Sequence, residues 1–500
     1  MILLGAALRI VHLGQASFWN DEFFSRYYPD LGLGFLWGPG FTRETTPPTY
    51  YTLLLGWMHL FGASEAALRA LSAIGSVATI PLVYLLACEF AGRPSALLAA
   101  LLFAIAPMQI YYAQEARVYA LTLPLACLVL LGMARYVQAP RAGHLMLYGV
   151  SGVISVYLHN ICAILLASCN LAFLTMLSGR RPAVTWPMLR AWIIANATVA
   201  ALCLPEAVAM LRELQADRLG WISPRTWRDV LAAVGTVISG PAVHPLRLNL
   251  GLGLLFCLAV GAGVWIVRLD RRAVTILLLV PGIEFTLILL AGLRQPVLEP
   301  RILCWLGVPI SVLAACVLTP STRVRPALAA AVGVVLLVGL AFQFFEGAKA
   351  KEPWRLLLAQ LQPEIARADL IVVGPWTQPL PLLYYGQDMA KVRHWHEYLP
   401  ETVESTVISR EIGTQEISRD ALLADLRAGK RVLLIQREVE YYFQHLLTDV
   451  TPPQREWQRD CGRSFCMKGC TGTGLYGRLS PRRRDSSCRE AATGSACQAA

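Results

Sequence analysis

Residues 249–267 read NLGLGLLFCLAVGAGVWIV, 19 positions without an acid, lysine or arginine, closed by Arg268 and then by Arg271 and Arg272. About 20 such residues in a helix cross a hydrocarbon core of roughly 30 Å. Working outward from this run, apolar blocks of spanning length recur at about 1–17, 66–90, 94–111, 119–137, 145–158, 160–178, 191–211, 273–291, 303–318 and 327–345. A single signal peptide cannot account for so many. Composition agrees: 56% of the 500 residues are apolar and 15% charged, too little charge to cover the surface of a soluble chain this long. The sequence therefore predicts an all-α polytopic membrane bundle of about 11 transmembrane helices. The fifth block is short, with a blurred border to the sixth. The first begins at Met1 and carries Arg9 and His12, which is consistent with a start site further upstream.

A net charge of +11 invites a nucleic-acid reading, but much of the arginine sits in short loops between the blocks. Arg93, Arg135 with Arg141, Arg180 with Arg181 and Arg190, Arg268 with Arg271 and Arg272, and Arg323 with Arg325 fall in alternate loops, which marks those loops as cytoplasmic. The opposite loops, about 18–65, 112–118, 212–248 and 292–302, hold the acids and tryptophans. An odd number of spans from a cytoplasmic N-terminus places the C-terminal part outside the membrane of a multi-pass inner-membrane protein.

The expected membrane domain covers 1–345. A small extracytoplasmic α/β domain follows over 346–480, and a disordered tail rich in Arg, Ser, Gly and Ala over 481–500. Within the soluble part, Pro353–Arg367 reads as an amphipathic helix, Leu370–Val373 and Val432–Ile435 as strands, and Ala421–Arg427 as a helix closed by Gly429. His394 and His396 are expected at its surface. Eight of the 13 cysteines lie within or beside apolar blocks, Cys127, Cys162, Cys257 and Cys316 among them, as small buried hydrophobes. The other five, Cys461, Cys466, Cys470, Cys488 and Cys497, fit no zinc spacing.

Chemistry is expected in the outer loops. The first opens with Trp19-Asn20-Asp21-Glu22, two acids beside a membrane surface, costly there unless solvated, paired or used. Asn20 can cap a short helix Glu22–Tyr28, and Glu22 can pair with Arg26 at i, i+4 or act in catalysis. Asp21 has no such cation, since position 25 is Ser, and is the better candidate for a general base. Farther on, Pro47-Pro48-Thr49-Tyr50-Tyr51 starts an interfacial helix to Phe61, too short to span; Tyr50 is a site-lining candidate. In the second loop Glu115 and Arg117, two apart, cannot pair on one helix. Arg117 is a candidate for gripping an anionic phosphate; the bland alternative is an ion pair with Asp21 or Glu22. Arg301, at the mouth of the tenth span, is either a second phosphate contact or a snorkelling residue. His159-Asn160 ends the fifth span, and His159 can face the same cavity. Neither G-x-G-x-x-G nor G-x-x-x-x-G-K-[ST] occurs, which argues against a nucleotide-sugar donor.

In order and spacing these segments resemble the GT-C membrane glycosyltransferases, in the bacterial branch related to protein O-mannosyltransferases and the lipid A aminoarabinose transferase. The likeness runs from Arg9 to about Tyr119, through Phe18-Trp19-Asn20-Asp21-Glu22, Pro47-Pro48-Thr49-Tyr50-Tyr51, Phe61-Gly62 to Leu68-Arg69, and Tyr112 to Leu121. It resumes at His159-Asn160, Pro300-Arg301 and Pro353-Trp354-Arg355. The resemblance implies an extracytoplasmic site, a donor sugar on a polyprenyl phosphate such as undecaprenyl or dolichyl phosphate, and an acceptor lipid, polysaccharide or protein. It matches Asp21 to the catalytic acid and Arg117 and Arg301 to positions that meet donor phosphate. Two departures stand out. Thr46 occupies the place where many relatives carry His or Lys, and Ile302 follows Arg301 where an aromatic is usual. A divalent cation at the acids is left open. A flippase or transporter of a lipid-linked saccharide is the competing expectation, although no internal repeat supports it. A third is a structural or sensory protein whose outer domain binds a wall component.

Overall fold

The computed structural model describes residues 1–177, 184–215, 225–319, 325–346, 351–373, 379–395, 406–407, 410, 416–436 and 475–479. Arg180, Arg181, Arg323, His396, the five C-terminal cysteines and the tail 481–500 lie outside the described residues. The chain forms two compact units, one running to Pro353 and the other starting at Trp354.

The first unit is helical, and its local signals act where the sequence puts them. Ser64 caps the Glu65–Cys88 helix by accepting from the Ala67 N–H at 3.2 Å. Pro48 opens the Pro48–Phe61 helix, and Gly62, at φ +80°, closes it. Among the described residues six helices are long and apolar enough to cross a bilayer: Glu65–Cys88, Tyr119–Gln138, Leu246–Val267, Arg271–Gly292, Pro300–Leu318 and Arg325–Phe345. The number rises to eight if two bent pairs each count as one span. Ala142–Leu158 and Cys162–Thr175 are apolar but shorter. The chain is a multi-pass membrane protein, with fewer full-length spans by this measure than the eleven expected.

Two of the expected spans are broken. Arg93–Ile105 and Pro107–Ala113 meet at 53°, and Trp186–Leu202 and Leu204–Glu213 at 55°. Pro107 and Pro205 sit at these breaks, where a proline cannot complete the preceding helix's hydrogen bonds. The first expected span is only the Ile2–Ile10 helix, and His12 follows it at φ +66°. Its charge is nevertheless housed. Arg9 is fully buried and donates to Ser76 Oγ (2.8 Å) and to the carbonyls of Gly5, Ala104 and Phe103.

Glu65–Cys88 packs on both Arg93–Ile105 and Tyr119–Gln138, and the latter on Ala142–Leu158. At one end of the bundle Arg135 pairs with Glu89 at 2.8 Å, and Arg272 donates to Gln138 and to the Glu89 carbonyl. The loops near 90, 139 and 270, all expected on the cytoplasmic side, thus meet at one end. Of the cysteines in this unit, Cys127, Cys162, Cys169, Cys304 and Cys316 are buried, whereas Cys88 and Cys257 are exposed on the bundle's outer surface. Cys257 departs from the expected burial because its helix, Leu246–Val267, turns much of its circumference outward.

The second unit carries a five-stranded sheet in the order β3-β2-β1-β4-β5, with β1 Leu370–Val373, β2 Val392–Trp395, β3 Glu416–Ile417, β4 Val432–Gln436 and β5 Leu475–Leu479. The first four run parallel and β5 is antiparallel to β4. Helices Trp354–Arg367 and Arg419–Arg427 belong to this unit, the second capped by Ser418. His394, expected at the surface, is buried: it lies on β2, hydrogen-bonded between β1 and β3.

Candidate active site

The first outer loop turns into a helix directly behind Trp19. The helix spans Asn20–Tyr27, and the Trp19 backbone N–H donates to Glu22 Oε2 at 3.3 Å, so the cap lies one residue earlier than Asn20. This start sends the side chains of Asp21 and Glu22 to different surroundings.

Glu22 is completely buried. Arg69 grips it with two parallel bonds, Nε to Oε1 at 2.8 Å and Nη2 to Oε2 at 2.7 Å. The Ala116 N–H adds a third donor at 2.8 Å, and Lys351 Nζ stands 3.8 Å away. Burial alone would raise this carboxyl, but Arg69, Lys351 and the hydrogen bonds overcome it and hold the pKa at about 2. Arg69 also donates to the carbonyls of Leu13, Ala16 and Ser17. Glu22 is thus enclosed by donors as an anchor between loop one, the Glu65–Cys88 helix and the second outer loop. Its expected partner Arg26 pairs instead with Asp30. Each carboxylate oxygen of Glu22 accepts two hydrogen bonds in this arrangement, Oε1 from Arg69 and Ala116 and Oε2 from Arg69 and Trp19.

Asp21 is partly buried, its side chain 19% exposed, and its Oδ2 accepts from Arg301 Nη1 at 2.6 Å. Arg117 Nη1 donates to the Asp21 backbone carbonyl at 3.2 Å, a contact with the main chain and not the carboxylate pair considered from sequence. Arg117 is buried, and its Nε has no hydrogen-bond partner among the described residues. Burial disfavours its charge, yet Tyr51, Asp21, Tyr119 and Tyr50 outweigh this and keep it firmly protonated. Arg301 lies over the rings of Trp19 and Tyr119, at 5.8 and 5.9 Å.

The other expected residues gather around this group. Tyr50 is buried, and its hydroxyl donates to Ser25 Oγ at 3.4 Å. His159 packs on Tyr119 with ring centroids 5.6 Å apart and accepts from the Ile161 N–H at 3.3 Å. Enclosure and the nearby Arg117 and Arg301 push its pKa down to about 3, so the imidazole is neutral. Asn160 ties down loop one by donating to the Thr45 carbonyl at 3.2 Å. Glu115 is buried, with Oε1 4.0 Å from Lys351 Nζ and Oε2 without a hydrogen-bond partner among the described residues. Burial raises this carboxyl above the usual carboxylate range and lowers the Lys351 ammonium. All seven expected residues therefore collect at one end of the bundle. Among the described residues no group of three or more His, Cys, Asp or Glu is placed to hold a metal ion.

Beside the Asp21–Arg301 pair lies a narrow cleft lined by Arg301, His159, Tyr119, Thr122, Trp305 and Glu284 among others. Sequence reasoning missed Glu284, Arg69 and Lys351. Glu284 and Arg69 had a signal, as charges inside apolar blocks, which a bilayer tolerates only when paired or used. Lys351, in the polar stretch after the last span, had none.

Residues 45–208 match the family model described as Dolichyl-phosphate-mannose-protein mannosyltransferase. The fold is similar to that of ArnT from Cupriavidus metallidurans in two crystal structures. In the apo state the TM-score is 0.57 at 12% identity, covering 95% of this chain and 96% of that one. With ArnT bound to undecaprenyl phosphate it is 0.59 at 12% identity, covering 96% and 97%. No curated protein matches the sequence. The resemblance to the GT-C membrane glycosyltransferases related to ArnT and the protein mannosyltransferases holds at the level of the fold and of this matched segment.

Proposed function

We propose that the chain is a membrane glycosyltransferase that moves a sugar from a polyprenyl-phosphate donor to an acceptor hydroxyl at the outer face, with inversion. One observation carries this reading. The acid expected to take a proton and the two guanidinium groups expected to take phosphate converge, Asp21 on Arg301 at 2.6 Å and Arg117 on the Asp21 carbonyl at 3.2 Å. Support for the lipid-phosphate donor comes from the matched family segment and from ArnT, whose fold this chain shares and which has been captured with undecaprenyl phosphate. Support for the outer face comes from the arginine-rich loops gathered at the opposite end of the bundle from Asp21.

The chemistry follows from the charges. Donor phosphate entering beside Arg301 competes with Asp21 for its guanidinium and engages the unpartnered Arg117 Nε. Asp21, released from its partner, accepts the proton of the acceptor hydroxyl as that oxygen attacks the anomeric carbon. The new oxygen–carbon bond forms while the bond from the anomeric carbon to the phosphate oxygen breaks, and polyprenyl phosphate leaves with the electron pair. Negative charge grows on the departing phosphate in the transition state, where Arg117 and Arg301 stabilise it. Glu22 keeps the helix start in place and takes no part in proton transfer.

The test is bond cleavage. Protein reconstituted in liposomes with radiolabelled polyprenyl-phosphate sugars should transfer label to added acceptor and release free polyprenyl phosphate. Label that crosses the bilayer still attached to its lipid, with no polyprenyl phosphate released, would replace this reading with the transporter.

A further inference from the structure

The reaction above leaves Glu284 without a task. It lies within the Val280–Gly292 helix, in an apolar span, and is 1% exposed. Its Oε1 accepts from Trp305 Nε1 at 2.8 Å, which fixes the side chain, while Oε2 meets no donor among the described residues. The same residue lines the cleft together with Arg301 and His159. Arg301, Tyr119 and His159 sit at helix ends, whereas Glu284 lies eight residues before Gly292. At 1.5 Å per residue this places it about 12 Å below its helix's end. The cleft is thus lined by the Arg301 guanidinium and, deeper along its helix, by the Glu284 carboxyl group.

An orphan carboxylate oxygen inside a bilayer is expensive to keep. A polyprenyl tail has no hydrogen-bond donor and would leave it orphaned, so hydrocarbon is the wrong occupant. A glycosyl group brings several hydroxyl donors. We infer that Glu284 binds the glycosyl group of the donor, accepting a hydrogen bond from a sugar hydroxyl at the floor of the cleft while the phosphate stays with Arg117 and Arg301 at its mouth. This inference rests on the polyprenyl-phosphate donor proposed above. It makes Glu284 a determinant of which sugar is accepted, with Trp305 as its positioning residue.

The test compares binding of two kinds of lipid to the detergent-solubilised full chain. One is bare undecaprenyl phosphate; the other is a panel of undecaprenyl-phosphate monosaccharides carrying a hexose, a pentose or an N-acetylhexosamine. Wild type should bind at least one glycosylated lipid more tightly than the bare lipid. Glu284→Gln sets an amide N–H where the orphan oxygen stands. It should weaken binding of that glycosylated lipid by about three- to tenfold, the worth of a hydrogen bond, and shift bare-lipid binding by less than about twofold. Glu284→Leu should act in the same direction, and retained bare-lipid binding certifies that each variant is folded. Unchanged affinity for the glycosylated lipid in Glu284→Gln, or an equal loss on both lipids, overturns the inference. Wild type that binds bare lipid but prefers no glycosylated one overturns the sugar subsite outright. Wild type that binds neither overturns the donor proposal beneath it.

Discussion

Asp21 and Glu22 are neighbours in sequence with opposite fates, and the difference lies in what surrounds each. Glu22 is fully buried and held by Arg69 through two bonds, whereas Asp21 is partly exposed and pairs with Arg301. Breaking a buried pair by removing one partner costs about 3–5 kcal/mol, while an exposed pair is worth about 0–1 kcal/mol. Glu22→Gln should therefore lower the thermal midpoint of the detergent-solubilised protein sharply, whereas Arg26→Ala, which removes the partly exposed pair with Asp30, should leave it nearly unchanged. Equal effects of the two changes would contradict the assignment of Arg69 as the partner. The sequence could not disclose that partner. Spacing rules connect residues within one helix, and Glu22–Arg69 and Asp21–Arg301 bridge 47 and 280 positions of chain. What the sequence did disclose was the chemical oddity of acids and arginines beside a membrane, and each of those residues reaches the same end of the bundle.

The elements were legible to the extent that length and apolarity define them. The run 249–267 is a helix over Leu246–Val267, and the double proline opens Pro48–Phe61. Reading failed where a continuous apolar stretch hides a bend, as at Pro107 and Pro205, because hydropathy carries no information on direction. Packing between elements was equally invisible. Gly132 lets the Tyr119–Gln138 helix approach Ala142–Leu158 so closely that a Cβ there would stand 2.7 Å from the Tyr148 backbone nitrogen. Backbone cannot step aside as a flexible side chain can, so Gly132→Ala should destabilise by about 1–3 kcal/mol, the usual cost of overpacking. Gly56, within the Pro48–Phe61 helix, faces open space. Gly56→Ala should be neutral or stabilising by up to about 1 kcal/mol. Thermal unfolding of both variants beside wild type checks the contrast, and a neutral Gly132→Ala would mean that the two helices are less tightly fitted.

At the scale of the whole molecule, the bundle joins two tasks that a bilayer makes difficult. It buries charges such as Arg9 and Glu22 by saturating them with partners, and among the described residues it leaves a few groups at one end with bonding capacity to spare: the Arg117 Nε, the Glu115 Oε2 and the Glu284 Oε2. The central claim is that this end performs sugar transfer with Asp21 as the base. Its most direct test is turnover of radiolabelled polyprenyl-phosphate sugars by reconstituted wild type beside Asp21→Asn, both shown to be folded by equal thermal midpoints. The isosteric amide cannot accept the acceptor's proton, so transfer should fall by about 10²–10⁴-fold, the range for loss of a general base. Transfer at the wild-type rate in Asp21→Asn would contradict the account and assign the proton to another group.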